Sequence, residues 1–91
     1  MISINAIDDN TVTINNVNVT FNQPCAHYVE MTVKRAIKNS YGELHITPDM
    51  LIQLNDVIDD IIWSNKQDKY EMSINDVVDN ALSAVIENSR L

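Results

Sequence analysis

The run Val12-Thr13-Ile14-Asn15-Asn16-Val17-Asn18-Val19-Thr20-Phe21 constrains this chain more than any other stretch of it. Side chains on a strand alternate between two faces, so pairing Ile14 with Val17 and Val12 with Val19 gathers Val12, Ile14, Val17, Val19 and Phe21 on one side. Thr11, Thr13, Asn18 and Thr20 fall on the other, giving one face for a core and one for water. Asn15 and Asn16 sit where a two-residue hairpin turn requires positive φ, which asparagine tolerates. A β-hairpin is predicted here.

Upstream, Ile2, Ile4 and Ala6 alternate through residues 2–7 and meet a turn at Asp8-Asp9-Asn10, which reads as the third strand of a meander. A competing reading exists. Residues 3–10 are similar to residues 73–80, where a helix begins, so a helix start is the alternative to the strand.

Downstream the period changes to that of helices. Asn22-Gln23-Pro24 closes the sheet and opens a helix over 24–40, with Pro24 at the first helical position, where its missing N–H costs nothing. Cys25, Val29, Val33, Ala36 and Ile37 line its inner face, and Gly42 is the expected stop. Glu43 to Ile46 reads as a short extended segment turning Leu44 and Ile46 inward. Thr47-Pro48-Asp49 is a hydroxyl cap, a proline and a first-turn acid, opening a helix over 48–65. Its apolar stripe is Leu51, Leu54, Ile58, Ile61 and Ile62. Lys66 to Glu71 reads as a polar connection. Ser73 caps a last helix over 73–89, with Asp76 as return partner and Met72 and Val77 placed as a hydrophobic staple. Ile74, Val77, Val78, Ala81, Leu82 and Val85 face inward there, and Asp76, Asp79, Ser83 and Glu87 outward. The expectation is one α+β domain over residues 1–91: an antiparallel β-hairpin or three-stranded meander in 1–21, then three helices on one sheet face.

Composition then limits function. Of the 91 residues 45% are hydrophobic, enough for a small core. Thirteen acids oppose six bases for a net charge of −7, which disfavours nucleic acid and anionic membranes and favours basic partners, though acidity also serves solubility. One cysteine precludes an intrachain disulfide. Met1 to Asn10 carry neither a basic region nor a long apolar run, so no leader is expected in them. Apolar stretches are too short to span a bilayer. A reducing, cytoplasmic setting is expected, the host cytoplasm if a phage encodes the chain. Twelve asparagines beside a single glycine are what an AT-rich coding sequence tends to produce.

That single glycine removes the glycine-rich phosphate and dinucleotide loops, and a G-x-S-x-G elbow as well. Cys25 and His27 are the only sulfur–imidazole pair. Residues two apart on a helix point away from each other, so Cys25 is expected to pack as a small apolar group. His45 adds no paired metal-ligand spacing, so no metal and no cofactor are expected. Asp56, Asp59 and Asp60 read as a solvated face rather than catalytic carboxylates, which need a pocket and separated pKa values. No catalytic residue is assigned, and the chain is expected not to be an enzyme.

The helix over 48–65 carries the candidate site. Asp49, Asp56, Asp59 and Asp60 lie opposite its apolar stripe, and Ile52 and Trp63 lie among them. An apolar anchor ringed by charge suits a protein-binding surface, and tryptophan often dominates binding energy. The alternative is that another element covers this edge. The acids span about 16 Å, roughly one charge per 4–5 Å, against one per about 1.7 Å in duplex DNA. Imitating DNA would require Asp76, Asp79 and Glu87 alongside, or a dimer. On the first helix Lys34, Arg35 and Lys38 form a basic island, with Glu30 able to pair with Lys34. An intramolecular or dimer contact with the acidic helix is expected for it, not DNA.

In size, acidity and lack of catalytic motifs the chain resembles the small inhibitors that phages encode against host nucleic-acid enzymes, anti-CRISPR proteins among them. The resemblance implies a basic surface on a host protein as partner, engaged through Asp49, Ile52, Asp56, Asp59, Asp60, Trp63, Asp76 and Asp79. A self-assembling structural or accessory protein, using the Ile52 and Trp63 edge between subunits, is the alternative.

Overall fold

A computed structural model describes residues 3–40 and 44–89. Three strands, β1 (Ile4–Ala6), β2 (Thr11–Ile14) and β3 (Val17–Thr20), precede three helices, α1 (Ala26–Asn39), α2 (Pro48–Asp68) and α3 (Ile74–Ser89). The strands form one antiparallel sheet in the order β1-β2-β3, so residues 4–6 are strand and not helix. Register is Ile4 to Ile14 and Ala6 to Val12 on one side, Val12 to Val19 and Ile14 to Val17 on the other. Asn15 and Asn16 hold φ of 49° and 68°, the left-handed pair that a tight hairpin turn demands.

One apolar cluster joins sheet and helices. Ile4, Val12, Ile14, Val19 and Phe21 from the sheet meet Cys25, Val29 and Val33, then Leu51, Leu54 and Ile58, then Val77, Val78, Ala81, Leu82 and Val85. α1 lies against β1 and β2, α2 lies against β3, and α3 packs on both α2 and α1. Val17 departs from the expected pattern: it is 45% exposed. Alternation decides which side a residue points to, but the helices do not cover the tip of this edge strand. The expected inner residues Ala36, Ile37, Ile61, Ile62 and Ile74 are half-buried, while Met50 and Thr32 are buried outright.

α1 starts at Ala26, with Cys25 as its cap, so Pro24 lies outside the helix and not at its first position. The cause is tertiary. The Ala26 N–H donates to the Asp9 carbonyl at 3.0 Å, and Phe21 N–H to the Asn10 carbonyl at 2.7 Å, so the β1–β2 turn fixes where the helix begins. Glu30 reinforces this side by accepting from the Ala6 N–H at 3.0 Å, 3.6 Å from the Lys34 ammonium. α1 ends at Asn39, where Ser40 N–H returns to the Ala36 carbonyl; the expected stop at Gly42 lies outside the described residues, as do Ile2 and Glu43. Leu44 and Ile46 point inward, half-buried and buried, without forming a strand.

α2 opens as expected: Thr47 Oγ1 accepts from Met50 N–H at 3.2 Å, with Pro48 in the first turn. It runs past residue 65 to Asp68, so Lys66 to Asp68 are helix and not connection. Lys69 ends it in the left-handed conformation, φ 54° and ψ 35°. Its N–H donates to the Lys66 carbonyl at 3.4 Å and that of Tyr70 to the Asn65 carbonyl at 2.9 Å, a Schellman closure made without glycine. α3 begins after Ser73, whose Oγ accepts from Asp76 N–H at 3.2 Å. No helix of the described residues is long and apolar enough to cross a membrane.

Candidate functional site

The outer face of α2 is built by helical periodicity. Ile52, Asp56, Asp59 and Trp63 follow one another at intervals of four, three and four residues, and with Asp49 and Asp60 they occupy an arc of about 100°. The inner arc buries Leu51, Leu54 and Ile58. Among the described residues no element covers this edge: Trp63 is 64% and Ile52 54% exposed, among the most exposed large apolar side chains there. Asp49, Asp56 and Asp60 are exposed around them.

Two of the expected acids are engaged within the chain. Asp59 is half-buried and accepts from Asn22 Nδ2 at 2.6 Å and from Gln23 Nε2 at 3.5 Å. Next to it Asn55 Oδ1 accepts from Asn22 N–H at 3.0 Å, so this edge of α2 holds the link between β3 and α1. Asp79, expected to face water, is half-buried with its Oδ1 3.7 Å from Nη1 of Arg35. Within the chain, Arg35 of the basic island therefore meets an acid of α3 and Lys34 one of α1, rather than the acidic face of α2. Asp76 stays exposed in the first turn of α3.

No family model, curated protein or solved structure matches the chain.

The sulfur–imidazole pair is dispersed. Cys25 is fully buried, and burial pushes its thiol up to about 11, from an ordinary 9.0, with the nearby Asp59 charge adding to the rise. A thiol so placed stays protonated and unreactive at neutral pH. His27 points to the surface, 3.7 Å from exposed Asp9. Among the described residues no group of three His, Cys, Asp or Glu side chains could hold a metal ion.

A second feature escaped the sequence reading. Where α2 turns into α3, a cleft of about 540 Å³ opens between Ile62, Met72, Ile74 and Val77, with Lys66 and Lys69 on its wall. Helical periodicity cannot reveal it, because it forms from two helix ends and from a lysine in a conformation that favours glycine.

Proposed function

We propose that this chain is a non-enzymatic interaction module that docks on a basic protein surface through the outer face of α2. Trp63 and Ile52 are the apolar anchors, and Asp49, Asp56 and Asp60 are the charged surround. The observation that carries this reading is the 64% exposure of Trp63 on a helix whose other face buries Met50, Leu51, Leu54 and Ile58. A large aromatic left in water next to exposed carboxylates gains most by being covered, and the carboxylates select the charge of what covers it. Asp59 and Asp79 are not part of the docking set; they brace the fold.

The partner we favour is a nucleic-acid-binding host protein, the chain acting as a phage or mobile-element inhibitor of anti-CRISPR or anti-restriction type. Charge complementarity and size support that choice. The acids of α2 are too widely spaced to stand for a DNA strand, so inhibition would come from capping a basic groove around an apolar anchor. Self-assembly through the same edge is the rival, but a two-fold contact centred there would set Asp56 and Asp60 near their own copies.

Capture from a host extract with the full chain as bait separates the two. A basic partner held at low salt and released at high salt, and not held by Trp63→Ala or by Asp56→Lys with Asp60→Lys, is the expected result. Equal retention by both variants would remove α2 as the site. A homodimer in light scattering that Trp63→Ala disperses would favour assembly instead.

A further inference from the structure

The cleft at the α2–α3 turn has a divided lining. Val77 is buried and Ile62, Met72 and Ile74 are half-buried, which makes an apolar floor. Lys66, Lys69, Tyr70 and Glu71 are exposed on its wall. Two of the six basic residues in a chain with thirteen acids thus stand over one apolar hollow. Its volume falls in the range of small-molecule sites, roughly 300–1,000 Å³.

Lys69 strengthens the case. It holds φ of 54°, a position glycine would fill without steric cost, and the closing hydrogen bonds come from its backbone and that of Tyr70. The helix ending therefore does not require the lysine side chain, which the backbone nevertheless presents at the cleft. Strained non-glycine residues concentrate at ligand sites.

We propose that this cleft binds a small organic monoanion, an apolar chain on the Ile62, Met72, Ile74 and Val77 floor with its carboxylate drawn to Lys66 and Lys69. Charge selects the head group. Two ammonium groups against the Glu71 carboxylate leave one net positive charge, which a carboxylate matches. A phosphate monoester, at about −1.5 to −2, overshoots it. The site is independent of the outer face of α2 and does not rest on the function proposed for it.

Decanoate, decanol and decyltrimethylammonium titrated into the full chain, followed by backbone amide NMR, test this. Decanoate should saturate with its largest shifts in residues 69–74, bind about 3- to 10-fold tighter than decanol, and bind tighter still than the cation. Lys69→Gly is the diagnostic variant: it should raise the melting temperature while weakening decanoate about 2- to 5-fold, and Lys66→Gln should weaken it similarly. Equal affinity for decanoate and decanol, absence of saturation, or Lys69→Gly that stabilises the fold with decanoate affinity unchanged would each overturn the proposal.

Discussion

The Asp59 carboxylate sits 2.6 Å from Nδ2 of Asn22, so one acid of α2 ties that helix to the chain segment leaving the sheet. Asp56, one turn earlier on the same helix, has no such duty and is exposed. The two should separate in unfolding experiments. Asp59→Ala should lose about 0.5–1.5 kcal/mol, the usual net worth of such hydrogen bonds. Asp56→Ala should stay within about 0.5 kcal/mol of the parent. Urea midpoints at constant slope measure both.

The hairpin turn offers a second check. Asn16 holds φ of 68°, and its neighbour Asn15 also accepts from Ser3 N–H at 3.1 Å through its side chain. Asn16→Gly should keep or raise stability by a few tenths of a kcal/mol, and Asn16→Val should lose about 1–2 kcal/mol, since a β-branched residue resists that backbone. Thermal midpoints of the two variants should move in opposite directions, or the glycine variant should not move.

Cys25 makes a prediction about alkaline pH. Its thiol is raised to about 11 by burial, so the native state holds the proton more tightly than the unfolded chain does. The stability this contributes is fully present below the ordinary value of 9.0 and is lost as pH rises through about 11. Cys25→Ala should flatten the decline across that window. In the native parent, thiol labelling at pH 8 should proceed only as fast as the chain opens, and denaturant should release it.

Asp8 predicts the acid side. Its Oδ1 accepts from the N–H groups of Asn10 at 2.8 Å and Thr11 at 2.7 Å, and the bond from Asn10 above all holds the carboxyl below its ordinary value. Its contribution is present above the unfolded value, about 3.9, and is lost as pH falls through the lower folded one. Asp8→Asn should weaken the pH dependence of unfolding below about pH 4, with NMR titration of the carboxyl giving the direction of the shift independently.

Much of the fold is legible in residue order, and the exceptions share a cause. The hairpin is readable because alternation and the Asn15-Asn16 pair agree, and the starts of α2 and α3 because Thr47 and Ser73 cap locally. What escapes is set by partners distant in sequence. The Asp9 carbonyl, not Pro24, decides where α1 begins. Arg35 reaches Asp79 on α3, and helical projection of either helix alone leaves both facing water. Val17 points to the core side yet is uncovered, since pattern encodes direction and not coverage. For the candidate site, periodicity places Ile52 and Trp63 among the acids. Only packing reveals that Asp59 is tied down while Trp63 is left open.

Trp63 is the sole tryptophan, which makes it a reporter of its own environment. The chain carrying fluorotryptophan at that position, observed by fluorine NMR alone and then with the captured partner, tests the docking face directly. A shifted, broadened signal sheltered from soluble quenchers is expected in the complex, with a loss of about 2 kcal/mol or more, some 30-fold in Kd, on Trp63→Ala. A fluorine signal unchanged and equally open to quencher in a saturated complex would contradict it.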